Sequence, residues 1–199
     1  MARDLARAFD APLVASTVSR LVVDLNRSLH NPRAWSACTA ALPAPERDRI
    51  VRTYYAPHWR RVEGLVAAAA ASGQRVVHVA SHSFTPVLDG VRRTADVGLL
   101  YDPARSGEAR LAAAWCAALR ASAPHLVVRR NYPYAGKGDG LTRALRQRLP
   151  ASRYVGIELE INQALCAAGA APWRDTRRAV IAALRVALVP SLSVQRASP

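Results

Sequence analysis

Three short segments of the sequence gather side chains that bind anions or move protons, and each closes an apolar run. In VVDLNRS, residues 22–28, Asp24, Asn26 and Arg27 follow a stretch rich in Leu and Val. An Asn beside an Arg at a strand end suits carboxylate recognition, because a planar guanidinium meets a carboxylate through two parallel hydrogen bonds. The same residues equally suit a turn or a helix cap, and the sequence leaves both readings open. In VVHVASHSFTP, residues 76–86, strand alternation puts His78, Ala80 and His82 on one face. Mid-strand His78 reads as a structural side chain, whereas His82 stands just before a polar turn and is better placed to hold a metal or carry a proton. In YVGIELEINQ, residues 154–163, Glu158, Glu160 and Asn162 share a face of an otherwise apolar strand. Two carboxylates on a buried face cost free energy unless a cation or donors meet them, so the pair points to a functional site. The competing reading is a face exposed at a sheet edge.

The elements that position these residues follow from apolar spacing and from Pro and Gly punctuation. Residues 2–11 predict a helix stopped by Pro12, and residues 20–26 predict a buried strand followed by a turn over 28–33. A long helical pattern starts near Pro43, is interrupted at Pro57 and ends near Gly73. Strands are predicted over 75–80, 96–101, 126–130 and 154–161. Helices are predicted over 108–121 and 141–149, with a last one over 175–188 that Asp175 would cap. Strands alternating with helices imply an α/β sandwich around a mostly parallel sheet. One domain over residues 1–189 and a mobile tail over 190–199 complete the expected organisation.

Composition narrows the classes. The chain has 199 residues, 51% of them apolar, enough for a sizeable core. No run of 18 apolar residues occurs, and the opening MARDLARAFDAPLV carries charges within its apolar stretch, so no membrane partner is expected and the chain reads as soluble and cytoplasmic. Cys38, Cys116 and Cys166 form no CxxC pair, which argues against a disulfide framework and against a structural zinc site. The net charge of +14 raises the question of nucleic acid. The arginines are scattered singly or in pairs and Lys137 is the only lysine, so no patch predicts a nucleic-acid partner.

Five segments together, SRLVVDLNRS (19–28), SHSFTP (81–86), DVGLLYDP (96–103), NYPYAGKGDGLT (131–142) and GIELEINQ (156–163), resemble in their order the N-formylglutamate amidohydrolase family. The resemblance implies a zinc carboxypeptidase-like fold: a three-layer α/β sandwich whose mostly parallel or mixed central sheet carries helices on both faces. It implies zinc (Zn2+) as cofactor with His82 as a ligand, and Asn26 and Arg27 holding a substrate carboxylate. It further implies that Glu160, or Glu158, activates water, and that Asn131, Tyr134 and Lys137 of the glycine-rich loop meet the substrate. Members of the family open with a further strand ending in a Glu-His or Pro-His-Ser segment that supplies the first metal ligands, and nothing like it precedes Ala2. The expectation is a zinc-dependent hydrolase of amino-acid metabolism that cleaves the C–N amide bond of a small N-acyl amino acid such as N-formylglutamate. The alternative is a catalytically degenerate relative that binds a small anionic ligand.

Overall fold

The computed structural model of the chain describes residues 1–193. In chain order its elements are α1 (Ala2–Ala8), α2 (Ala44–Ile50), α3 (Ala56–Ala71), β1 (Val76–Phe84), β2 (Val87–Leu88), β3 (Val91–Arg92), β4 (Val97–Leu100), α4 (Ser106–Ser122), β5 (Val128–Arg130), α5 (Leu141–Arg148), β6 (Tyr154–Asn162), α6 (Gln163–Ala167) and α7 (Ala170–Ser193). The fold class is the expected one, a mixed α/β protein with a central sheet and flanking helices. Strand order in the sheet is β1-β6-β4-β5. β4 runs parallel to β5 and antiparallel to β6, so the sheet is mixed. The chain forms two compact units, each discontinuous in sequence: Met1–Ala11 with Val79–Lys137 and the described residues from Val155 on, and Pro12–His78 with Gly138–Tyr154.

The first unit owes its core to alternation. Val155, Ile157, Leu159 and Ile161 of β6 point to one face, as do Val97 and Leu99 of β4, and all join the main apolar cluster. Against them pack Leu111, Trp115 and Leu119 of α4 and Val180 and Leu184 of α7. Those α4 residues recur every four positions and so fall on one face of the helix. Trp115 is fully buried, and its indole N–H donates to the Val180 carbonyl at 3.0 Å, so the polar atom of this large side chain is satisfied. Arg185 ties α7 to α1 by donating to the Ala8 carbonyl at 2.7 Å, with its guanidinium over the Phe9 ring.

The second unit departs from expectation at residues 20–26. They form no strand; turns run through the segment instead. The reason is local: the Asp24 carboxylate accepts from Arg20 at 2.7 Å and from the Asn26 N–H at 3.0 Å, which curls the backbone around one side chain. Tyr55 O–H and Trp59 N–H, stacked with ring centroids 5.1 Å apart, donate to the carbonyls of Arg27 at 2.7 Å and Leu25 at 2.9 Å. Backbone groups of the segment thus bond to side chains in place of a neighbouring strand.

The interruption expected at Pro57 is a widened turn. Residues Val51–Tyr55 are π-helical, and the Ala56 N–H reaches back to the Val51 carbonyl before α3 resumes. Pro57 has no N–H to give, so the change of register falls where a regular helix would lose a bond anyway. Two smaller differences follow from capping and turn chemistry. α7 begins at Ala170, so Asp175 lies inside the helix and does not cap it. A short antiparallel hairpin, β2 with β3, turns on Asp89 and Gly90, which take left-handed φ of 50° and 75°. Of the tail expected over 190–199, residues 190–193 continue α7, and residues 194–199 lie outside the described residues.

Candidate active site

β1 and β6 begin together and end together. The Val76 N–H donates to the Arg153 carbonyl at 2.8 Å, and the Gln163 side-chain amide reaches Ser83 Oγ at 3.3 Å. The two neighbours in the sheet therefore run the same way. His82 precedes Ser83 by one residue and Glu160 precedes Gln163 by three, so both stand toward the carboxyl ends of adjacent strands, where α/β proteins gather function. Glu158, Glu160 and Asn162 lie on the face of β6 opposite its apolar cluster and are buried, so the pair is not on an exposed sheet edge. Asn162 has a structural task there: its Nδ2 donates to the Ala95 carbonyl at 2.9 Å and its Oδ1 accepts the Ala164 N–H at 3.0 Å, capping α6.

Across the ladder Glu160 faces Gly98, and Glu158 faces Leu100. A Cβ on residue 98 would sit 2.1 Å from the Tyr132 carbonyl oxygen and 3.2 Å from the Glu160 Cβ. Only glycine lets the loop after β5 lie this close to the sheet, directly beside Glu160. The loop is held by Asn131, whose backbone takes φ 48° and whose Oδ1 accepts the N–H groups of Tyr101 at 3.0 Å and Gly136 at 3.1 Å. Asn131 thus shapes the loop with its carboxamide oxygen. The peptide between Tyr132 and Pro133 is cis.

Two tyrosines of this loop reach back toward the start of β4. Tyr132 Oη accepts the Thr94 N–H at 3.0 Å, and that bond, with the charges of Arg129 and Arg93, lowers the phenol below its ordinary pKa. Tyr134 Oη accepts from Arg93 at 2.9 Å, and Tyr134 and Lys137 are both exposed. His82, Glu158, Glu160, Asn131, Tyr134 and Lys137 all belong to one compact unit. The sequence reading missed Arg93 and Thr94, which carry no motif and become visible only once the loop is seen to fold back.

Asn26 and Arg27 belong to the other unit. Asn26 Oδ1 accepts the Leu141 N–H at 3.3 Å, at the start of α5. Gly140 permits the approach, because a Cβ there would meet the Asn26 carbonyl oxygen at 2.7 Å with φ at 157°. Arg27 Nε lies 3.9 Å from the Asp24 carboxylate. Asp139 Oδ2 accepts from the Ser28 N–H at 3.0 Å and from Asn31 at 2.9 Å. Burial pushes the Asp139 carboxyl up, but these bonds and the Arg27 charge outweigh it and hold it below its ordinary value. His78, in the same unit, has Nδ1 2.8 Å from Tyr154 Oη.

A catalytic zinc needs about three protein ligands and an open position. Among the described residues no group of three or more His, Cys, Asp and Glu side chains is arranged to hold a metal ion. The described donor set does not by itself fit a catalytic zinc.

A histidine and two buried carboxylates near the ends of neighbouring strands, with a close-packed loop beside Glu160, lie on the central sheet of a mixed α/β protein. The family model for N-formylglutamate amidohydrolase matches residues 1–167. The chain belongs to the N-formylglutamate amidohydrolase family. Its structure is similar to that of gene product Atu2144 from Agrobacterium tumefaciens, with a TM-score of 0.79 and 32% identity over 96% of this chain and 76% of the other. It shares its fold with N-formylglutamate amidohydrolase from Ralstonia eutropha JMP134, with a TM-score of 0.69 and 22% identity over 94% of this chain and 81% of that one. No curated protein matches the chain. No helix among the described residues is long and apolar enough to cross a membrane.

Proposed function

We propose that the chain hydrolyses the C–N amide bond of a small N-acyl amino acid, with N-formylglutamate as the first substrate to try. The observation that carries this reading is the buried pair Glu158 and Glu160, on the sheet face covered by the glycine-rich loop, in a chain of this family. Glu160, beside the loop, takes the general-base role. Its carboxylate accepts a proton from water as the water oxygen bonds to the acyl carbon. The tetrahedral adduct then collapses, the same proton passes to the leaving nitrogen, and the C–N bond breaks to give a carboxylic acid and a free amino acid. Glu158, two residues earlier, orients its neighbours. Tyr134 and Lys137 offer donors to the substrate from the exposed part of the loop.

The test is release of formate from N-formyl-L-glutamate. Glu160→Gln is expected to lower kcat by about 10²- to 10⁴-fold with KM nearly unchanged, since a general base acts in the transition state. Glu158→Gln is expected to cost less. A larger loss from Glu158→Gln would reverse the two roles, and full activity in both variants would end the mechanism. Running the assay with added Zn2+ and again after chelation tests the metal requirement separately. Binding of N-formyl-L-glutamate without turnover under every condition would favour the ligand-binding alternative.

A further inference from the structure

Arg93 stands apart from the other arginines near the site. Its guanidinium carbon lies 5.0 Å from the centroid of the Tyr134 ring and 5.8 Å from that of Phe84, within reach of both π faces. One of its terminal nitrogens donates to Tyr134 Oη at 2.9 Å, and its backbone N–H donates to the Pro86 carbonyl at 2.8 Å. No carboxylate among the described residues forms an ion pair with it, whereas Arg27 has Asp24 and Arg105 has Glu108. The side chain is half-buried. A cation held by two rings and a hydroxyl, without an acid, has its orientation fixed and its charge uncompensated.

The place of this cation matters as much as its state. Phe84 ends β1, two residues after His82 and on the same side of the strand. Tyr134 belongs to the loop whose Tyr132 carbonyl lies against Gly98 beside Glu160. Arg93 therefore joins the strand end that carries His82 to the loop that covers Glu160. All of these residues lie in one compact unit.

We propose that Arg93 receives a carboxylate of the substrate and sets a preference for acidic N-acyl amino acids over neutral ones. The inference rests on the hydrolase reading and names the residue that would recognise the charge of the substrate. The two aromatic faces and Tyr134 Oη fix the plane of the guanidinium. The donors not used by Tyr134 are left to meet a carboxylate through parallel N–H···O bonds, a match that a lysine ammonium lacks.

The experiment compares N-formyl-L-glutamate with N-formyl-L-glutamine, which keeps the shape and loses the side-chain charge, and with the α-amide of N-formyl-L-glutamate. In Arg93→Met, KM for the doubly charged substrate is expected to rise about 10- to 100-fold with kcat little changed. For whichever analogue lacks the recognised carboxylate, KM is expected to stay near the unmodified value. Arg93→Lys is expected to restore part of the loss. Tyr134→Phe, which keeps the ring and removes the hydroxyl, is expected to raise KM a few-fold in the same direction. An equal rise for all three substrates would overturn the proposal and leave the hydrolase reading intact. If no substrate turns over, calorimetric binding of N-formyl-L-glutamate decides alone: loss in Arg93→Met with retention in Glu160→Gln supports the role of Arg93, and equal binding in both, or in neither, overturns it.

Discussion

At the scale of single residues, the most telling carboxylate outside the candidate site is Asp139, because its surroundings act on it in opposite directions. Burial disfavours its charge, yet donors from Asn31 and Ser28 and the nearby Arg27 favour it more, so its folded pKa lies below the ordinary value of 3.8. A depressed folded pKa means that the charged form stabilises the fold. That contribution is fully present above pH 3.8 and fades as the pH falls through the lower folded value. Asp139→Asn keeps the oxygen acceptor and removes only the charge, so it should melt at a lower urea concentration than the unmodified chain near pH 6. The gap should close at pH values below the folded pKa. A gap that stays constant down to pH 2 would mean that the carboxylate charge plays no part. Tyr55 shows the opposite sign: burial first, then the charges of Asp139, Glu63 and Asp24, raise its phenol. The hydroxyl thereby stays protonated and keeps donating to the Arg27 carbonyl.

At the scale of elements, the approach of the loop to the sheet depends on a missing side chain. Alanine at position 98 would bring its Cβ to 2.1 Å from the Tyr132 oxygen, a backbone atom that cannot swing away as a flexible side chain would. Gly98→Ala should therefore displace the loop and cost about 1–3 kcal/mol, the usual price of overpacking. Urea unfolding gives the stability change, and activity should fall with it because the loop borders Glu160. Unchanged stability and activity would show that the loop can shift freely. The strands over 76–84, 97–100 and 154–162 were legible because Val, Leu and Ile either alternate or run unbroken, a pattern that backbone pairing turns into a sheet. The segment 20–26 has the same apolar look and is no strand, since Asp24 offers the backbone a nearer acceptor than a neighbouring chain would. The carboxylates of β6 were legible for a physical reason: acids in an apolar strand are costly without a use. Arg93 was not, because its setting is made by residues as far apart in sequence as Phe84 and Tyr134.

At the scale of the whole molecule, the net charge of +14 acts on any anion before it reaches a particular side chain. The arginines are dispersed, so this field is long-ranged and unspecific, unlike the local fit proposed for Arg93. Salt separates the two. The Debye length falls from about 30 Å at 0.01 M ionic strength to about 8 Å at 0.15 M, which screens distant arginines while leaving contact pairs less affected. For N-formyl-L-glutamate, kcat/KM should drop several-fold across that range. For an uncharged analogue, with both carboxylates masked as amides, the profile should be nearly flat. Arg93→Met removes one positive charge among 28 basic residues, so it should lower kcat/KM for the anionic substrate at every salt concentration while leaving the slope almost as before. A slope that collapses in that variant would mean that the cation dominates attraction as well as fit. A flat profile for N-formyl-L-glutamate in the unmodified chain would mean that the positive surface gives the reaction no help.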